Sequence, residues 1–179
     1  MAQIGLKNLY YAVMTIGTNG AESYGTPKKI GEAVSVDIQP STEKAALYGD
    51  DMAVATDTAM KEVTVKIEVT DIPLEDQAAL LGHTYSNGQL EASMSDVAPY
   101  VALLFESKKH NVGIRCVKLL KGKFAPTQET INTKGERVEY QVPSLEGTFV
   151  AAASGKWKIV KDFDADDSTA SWYTSVTGS

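Results

Sequence analysis

Few residues in this 179-residue chain are of types that do covalent or metal chemistry, and their spacing argues against both. His83 follows a glycine and His110 sits in a Lys-rich turn. Neither has a Cys or a second His at metal-ligand spacing, so both read as polar surface or cap residues. Cys116 is the single cysteine, which rules out an internal disulfide. It lies in an apolar, strand-like run and reads as a buried, inert thiol rather than a nucleophile. The acidic pair in "GDD" (49–51) could seed a cation site, but the other ligands of a calcium loop are missing and turn chemistry is favoured. GxSxG, P-loop and strand–GxGxxG–helix patterns are absent. The chain is therefore not read as an enzyme, and no catalytic residue, cofactor or metal is expected. Tyr48, Trp157, Trp172 and Tyr173, read as exposed aromatics, suit a sugar-binding surface or an assembly contact equally well.

The elements that would position such surfaces are mostly strands. Residues 6–16 (LKNLYYAVMTI) are rich in aromatic and β-branched types, and "GTNGAESYGTP" (17–27) is turn material. In 28–38, Val34, Val36 and Ile38 alternate with Ala33, Ser35 and Asp37. The cleanest alternation puts Val63, Val65, Ile67 and Val69 on one face, with Glu62, Thr64, Lys66, Glu68 and Thr70 on the other. That is a half-buried antiparallel strand. Between these two strands, residues 39–59 hold only four large apolar side chains, Leu47, Tyr48, Met52 and Val54. A structureless connection of that length is uncommon inside a domain. It reads either as a floppy surface loop or as a long hairpin that buries those four residues against another molecule.

One helix is predicted at about 73–81. Pro73 suits the first helical position, Glu75 the first turn, and Gly82 a left-handed cap. Leu74, Ala78 and Leu81 share one face and are expected to pack on the sheet, while "SNG" (86–88) signals a hairpin. Beyond it, 98–107 is apolar on both faces and must be covered on both sides, and 112–121 is a further strand. The segment 137–152 changes phase at Pro143–Ser144, which suggests a bulge or an edge, and 155–163 is a possible last strand. Gly122 and Gly147 read as turn or bulge positions. The fold class read from these elements is mainly β, antiparallel, with one short α-helix and a long hairpin loop at 39–59. Residues 1–161 form one domain, and 162–179 read as an acidic, Ser/Thr-rich mobile tail.

Charge is unevenly spread. The net charge is −6, yet residues 107–128 contain Lys108, Lys109, Arg115, Lys118, Lys121 and Lys123 and no acid. Without interleaved aromatics or a recognition-helix pattern, this block reads as a solvated or partner-facing surface rather than a nucleic-acid site. No apolar run approaches the roughly 20 residues of a membrane helix, and the N-terminus is a poor signal peptide.

The order of these features carries a resemblance. "IGLKNLYYAVMT", then "GDDMAVATDTAMKEVTVKIEVTDIPLEDQAALLGH", then "APYVALLFES" and "VKLLKGKFAPTQETINTKGERVEYQVPSLEGTF" closely resemble the major tail proteins of long-tailed, non-contractile phages of Gram-positive bacteria. The likeness runs from residue 1 to about 150. It implies a subunit of two packed antiparallel sheets, sandwich- or barrel-like, flanked by the short helix, hexameric rings that stack into a hollow tail tube, and DNA passing through the lumen without specific binding. It implies a virion protein made in the host bacterial cytoplasm, whose partners are itself and the tape measure, tail terminator and distal tail proteins. On that basis 39–59 would be an inter-ring arm, through Leu47, Tyr48, Met52 and Val54. Asp37, Glu62, Lys66 and Glu68 would face the lumen, with the basic block away from it and meeting the acidic tail of a neighbour. The competing reading is a monomeric β-sandwich binding module for carbohydrate or protein.

Overall fold

The computed structural model describes residues 3–49, 52–110, 113–127, 142–164 and 166–177, the backbone alone at 3–4, 44–49 and 52–58. Their strands are β1 (Gln3–Ile16), β2 (Glu22–Tyr24), β3 (Lys28–Lys29), β4 (Ala33–Gly49), β5 (Met52–Val69), β6 (Thr84–Ser86), β7 (Gln89–Glu91), β8 (Val101–Lys109), β9 (Ile114–Ala125), β10 (Ser144–Val150) and β11 (Lys158–Phe163). Helix α1 spans Leu74–Leu81, and Ala170–Tyr173 form a 3-10 turn.

All pairings are antiparallel, in a nine-stranded sheet of order β2-β1-β8-β9-β10-β5-β4 with β3 added on β1 and β11 on β9. β9 is long enough to share one edge between two partners: Ile114–Leu119 pair with β11 and Lys121–Ala125 with β10. The inner core joins Leu9 and Tyr11 of β1 to Val63, Val65, Ile67 and Val69 of β5. In a flat sheet those strands would stand about four spacings of ~4.8 Å apart. Contact between β1 and β4 shows that the sheet curls over its own core instead. Its edges do not pair, so it is not a closed barrel. The expected mainly antiparallel fold with one short helix is present. Its large sheet is one folded-over sheet, and the second is the small β6–β7 hairpin, turned by Asn87 and Gly88 at positive φ as a type I′ turn requires.

The long-hairpin reading of 39–59 is borne out among the described residues, since β4 and β5 stay paired from Ala33–Val69 out to Gly49–Met52. Three other local readings change with the tertiary structure. Val34 is the extra residue of a bulge and is 48% exposed, so it leaves the face of Val36 and Ile38. β10, expected at a bulge or an edge, lies between β9 and β5. Inside β9 and β10, Gly122 and Gly147 make room for rings rather than turns. A Cβ on Gly122 would lie 2.5 Å from the Phe149 ring, and one on Gly147 would lie 2.9 Å from Phe124.

Candidate assembly surfaces

Helix α1 closes the core through Ala78, Leu80 and Leu81, all buried. Leu74, expected on that face, is 46% exposed, and fully buried Leu80 replaces it. Ala78 and Leu81, the other two residues of that face, stay buried, so the expected face still meets the core and only its first residue lies clear of it. Asp76 is buried beneath the first turn, accepts the Tyr11 hydroxyl at 2.8 Å and pairs with Lys28 at 2.8 Å. Lys28 is held above the usual lysine range, first by its bond to Asp76 and then by Glu75. Pro73 is the residue before the helix rather than its first position, and Gly82 caps it at φ 76° with Val97 O only 2.3 Å from any Cβ placed there. His83 is tied off beside this cap by Asp96 at 2.7 Å.

The most distinctive projection is the β4–β5 ribbon. β5 pairs with β10 only from Val63 to Glu68, whereas its pairing with β4 continues to Met52. Thr42–Gly49 and Met52–Met60 are therefore a two-stranded extension, roughly 25 Å long at about 3.3 Å per residue. Lys61 is an extra residue where the ribbon leaves the sheet, a position where a bulge bends the strand pair. The side chains of Leu47, Tyr48, Met52 and Val54 lie outside the described residues, as do Asp50 and Asp51 of the "GDD" turn. A two-stranded hairpin alone in water is marginally stable, so such a ribbon gains by resting on another molecule.

The outer face of β4, β5 and β10 is polar. One cross-strand row runs Asp37–Lys66–Glu146–Ala125 and the next runs Gln39–Thr64–Thr148–Lys123. Lys66 pairs with Glu68 at 3.0 Å, and the Ser35 hydroxyl donates to Glu68 at 2.9 Å. These two contacts, Lys66 first, hold the Glu68 carboxyl below its usual range. Asp37, Lys66 and Glu68 thus share one surface, with Glu62 on the same face of β5. Lys123 stands in the same rows, so the basic block is not wholly on another side of the sheet.

The outer face of β1, β8 and β9 is apolar and is covered by the chain's own C-terminal residues. Trp172 (4% exposed) and Val176 (2%) pack on Ala12, Ala102, Leu104, Cys116, Leu120 and Ala152. The expectation of a mobile tail, and of Trp172 as an exposed aromatic, is corrected here. The signal was present in 98–107, whose two apolar faces demanded two covers. Trp157 is partly buried against the inner core, and Tyr173 stacks on Tyr10 at 4.6 Å between centroids. Cys116 lies beneath this cover with its thiol pushed up to about 12 by burial, which leaves it inert.

The basic block is largely satisfied within the subunit. Arg115 holds Asp162 by two bonds of 2.8 and 2.9 Å, Lys109 also pairs with Asp162, and Lys121 pairs with Glu22 at 2.7 Å. Lys118, 1% exposed, donates to the Ser175 and Val176 carbonyls. Complementarity between this block and the acidic C-terminal region is therefore intramolecular at these residues. No group of three or more His, Cys, Asp or Glu able to hold a metal occurs among the described residues, and no helix there is long and apolar enough to cross a membrane.

Comparison with known proteins bears on what these surfaces serve. A family model described as phage tail tube protein matches residues 35–173, which takes in the ribbon, the helix, the sheet centre and the C-terminal region as far as Tyr173. No curated protein matches the chain.

Proposed function

This chain belongs to the phage tail tube protein family, and we propose that it builds the tail tube of a long-tailed, non-contractile phage of Gram-positive bacteria. It is a structural component of the phage tail. In the proposed assembly six copies form a ring and rings stack into a hollow tube through which DNA leaves the capsid. The subunit is made in the host cytoplasm, and the tube meets the tape measure, tail terminator and distal tail proteins along or at the ends of its length. The observation that carries this reading is the β4–β5 ribbon, Thr42–Gly49 paired with Met52–Met60, beside which no third strand lies among the described residues. Such an arm suits a head-to-tail contact between successive rings, since a self-complementary patch would stop at a closed dimer. Leu47, Tyr48, Met52 and Val54 are the arm's proposed contacts. The polar face with Asp37, Glu62, Lys66 and Glu68, net −2, is the proposed lumen wall. A wall with few free cations releases few counterions from DNA and so does not retain it.

Negative-stain electron microscopy of the purified protein at rising concentration tests this. Rings and tubes are expected, and a variant lacking residues 44–58 should keep its β-rich circular dichroism while forming no tubes. A chain that stays monomeric at every concentration would overturn the proposal.

A further inference from the structure

The C-terminal residues 166–177 contribute no strand to the sheet. Their described backbone bonds are local, such as Trp172 N–H to Thr169 O and Thr174 N–H to Ser171 O. What attaches them is a set of side-chain contacts to the outer face of β1, β8 and β9, with Phe163 of β11 edge-on to Trp172 at 6.0 Å between centroids. The Lys118 ammonium donates to Ser175 O at 2.9 Å and Val176 O at 3.3 Å, and lies 4.1 Å from the centroid of the Trp172 ring. The Tyr173 hydroxyl donates to Glu106 Oε2 at 3.1 Å, and Glu106 is held from its other side by Asn8 at 2.8 Å. Small residues beneath, Ala12, Ala102 and Cys116, make the depression that Trp172 and Val176 fill. The inner core lies across the sheet and contains none of these groups.

We infer that residues 166–177 are a strap that opens as a unit, baring the outer face of β1, β8 and β9 while the curled sheet and its inner core stay folded, and that Lys118 is its latch. The physical basis is the separation of the two clusters. Opening breaks the outer cluster and a few polar contacts, whereas global unfolding must also break the nine-stranded sheet and the inner core. A segment attached in this way opens at lower free energy than the whole protein. One feature eases its release: Trp172 Nε1 is buried without a hydrogen-bond partner and regains one in water.

Cys116 is the chain's single thiol and sits fully buried under the strap, so its labelling reports opening. The experiment follows an aromatic disulfide reagent on the full chain in native buffer and across a urea series, with global unfolding followed in parallel by circular dichroism. Labelling without urea should run faster than global unfolding permits, and its urea dependence should be much shallower than that of global unfolding. Lys118→Met leaves the buried Val176 carbonyl and the part-buried Ser175 carbonyl without their charged donor and should raise labelling about tenfold or more. Trp172→Ala should raise it further, and Val176→Ala serves if that variant does not fold. Wild-type labelling with the urea dependence of global unfolding would overturn the inference. So would a folded Lys118→Met variant labelled at the wild-type rate.

Discussion

The same sheet presents two outer faces of opposite character. Over β1, β8 and β9 the outward residues include Ala12, Ala102, Leu104, Cys116 and Leu120, with Glu106 and Lys118 buried among them, and the chain covers them with Trp172 and Val176. Over β4, β5 and β10 they are Asp37, Thr64, Lys66, Glu68, Glu146 and Thr148, and no described segment covers them. The apolar face is one the subunit must shield before it meets any partner, or it would expose a sticky patch. The polar face can stay in water indefinitely, so whatever it meets on assembly is met for its charge and shape rather than for apolar burial. The strap and the bare face are two solutions to one problem, the second surface of a strand whose first surface is core.

The largest expected effect lies on the covered face. Leu104→Ala, at a fully buried site, should lower unfolding stability by about 2–5 kcal/mol in urea titration. Thr148→Ala, on the open face, should stay within about 0.5 kcal/mol. Equal losses would erase the distinction between the faces. Helix α1 offers an internal control of similar size. Leu80→Ala should cost about 2–5 kcal/mol, whereas Leu74→Ala should cost under about 1 kcal/mol despite lying in the same helix. A reversed ranking would place Leu74, not Leu80, against the core.

A smaller effect depends on pH. Asp162 is held well below the usual carboxylate range, first by Arg115 and then by Lys109, and Glu22 is lowered first by Lys121 and then by the Ala153 N–H. Folded pKa values below unfolded ones give stability that is fully present above the unfolded values near about 4 and lost as pH falls through the depressed ones. Acid titration of the denaturation midpoint should therefore be steeper in wild type than in Asp162→Asn below about pH 4. Parallel curves would show that this ion pair adds no pH-dependent stability. The smallest expected change is on the open face, where Glu62→Lys combined with Glu68→Lys should shift subunit stability by less than about 1 kcal/mol. If that face is the lumen wall, the same double variant should form tubes yet slow DNA ejection from the particle. Intact tubes with unchanged ejection would place these residues elsewhere.

What the chain's own order determined is local and periodic. The alternation at 62–70 specified which valines enter the core, the Gly82 and Asn87–Gly88 positions specified a cap and a turn, and the two apolar faces of 98–107 specified a doubly covered strand. These survive because each follows from the backbone period or from a φ that few residues adopt. The curl of the sheet was not readable, since which strands meet across it depends on pairings up to about a hundred residues apart. The burial of Asp76 in the first turn of α1 was decided by its reaching Tyr11 and Lys28, a polar network that helix periodicity does not encode. The C-terminal strap was decided by the apolar depression beneath it. Read along the chain, 166–177 is polar and acidic; only the folded face of β1, β8 and β9 gives its Trp172 and Val176 a place to be buried.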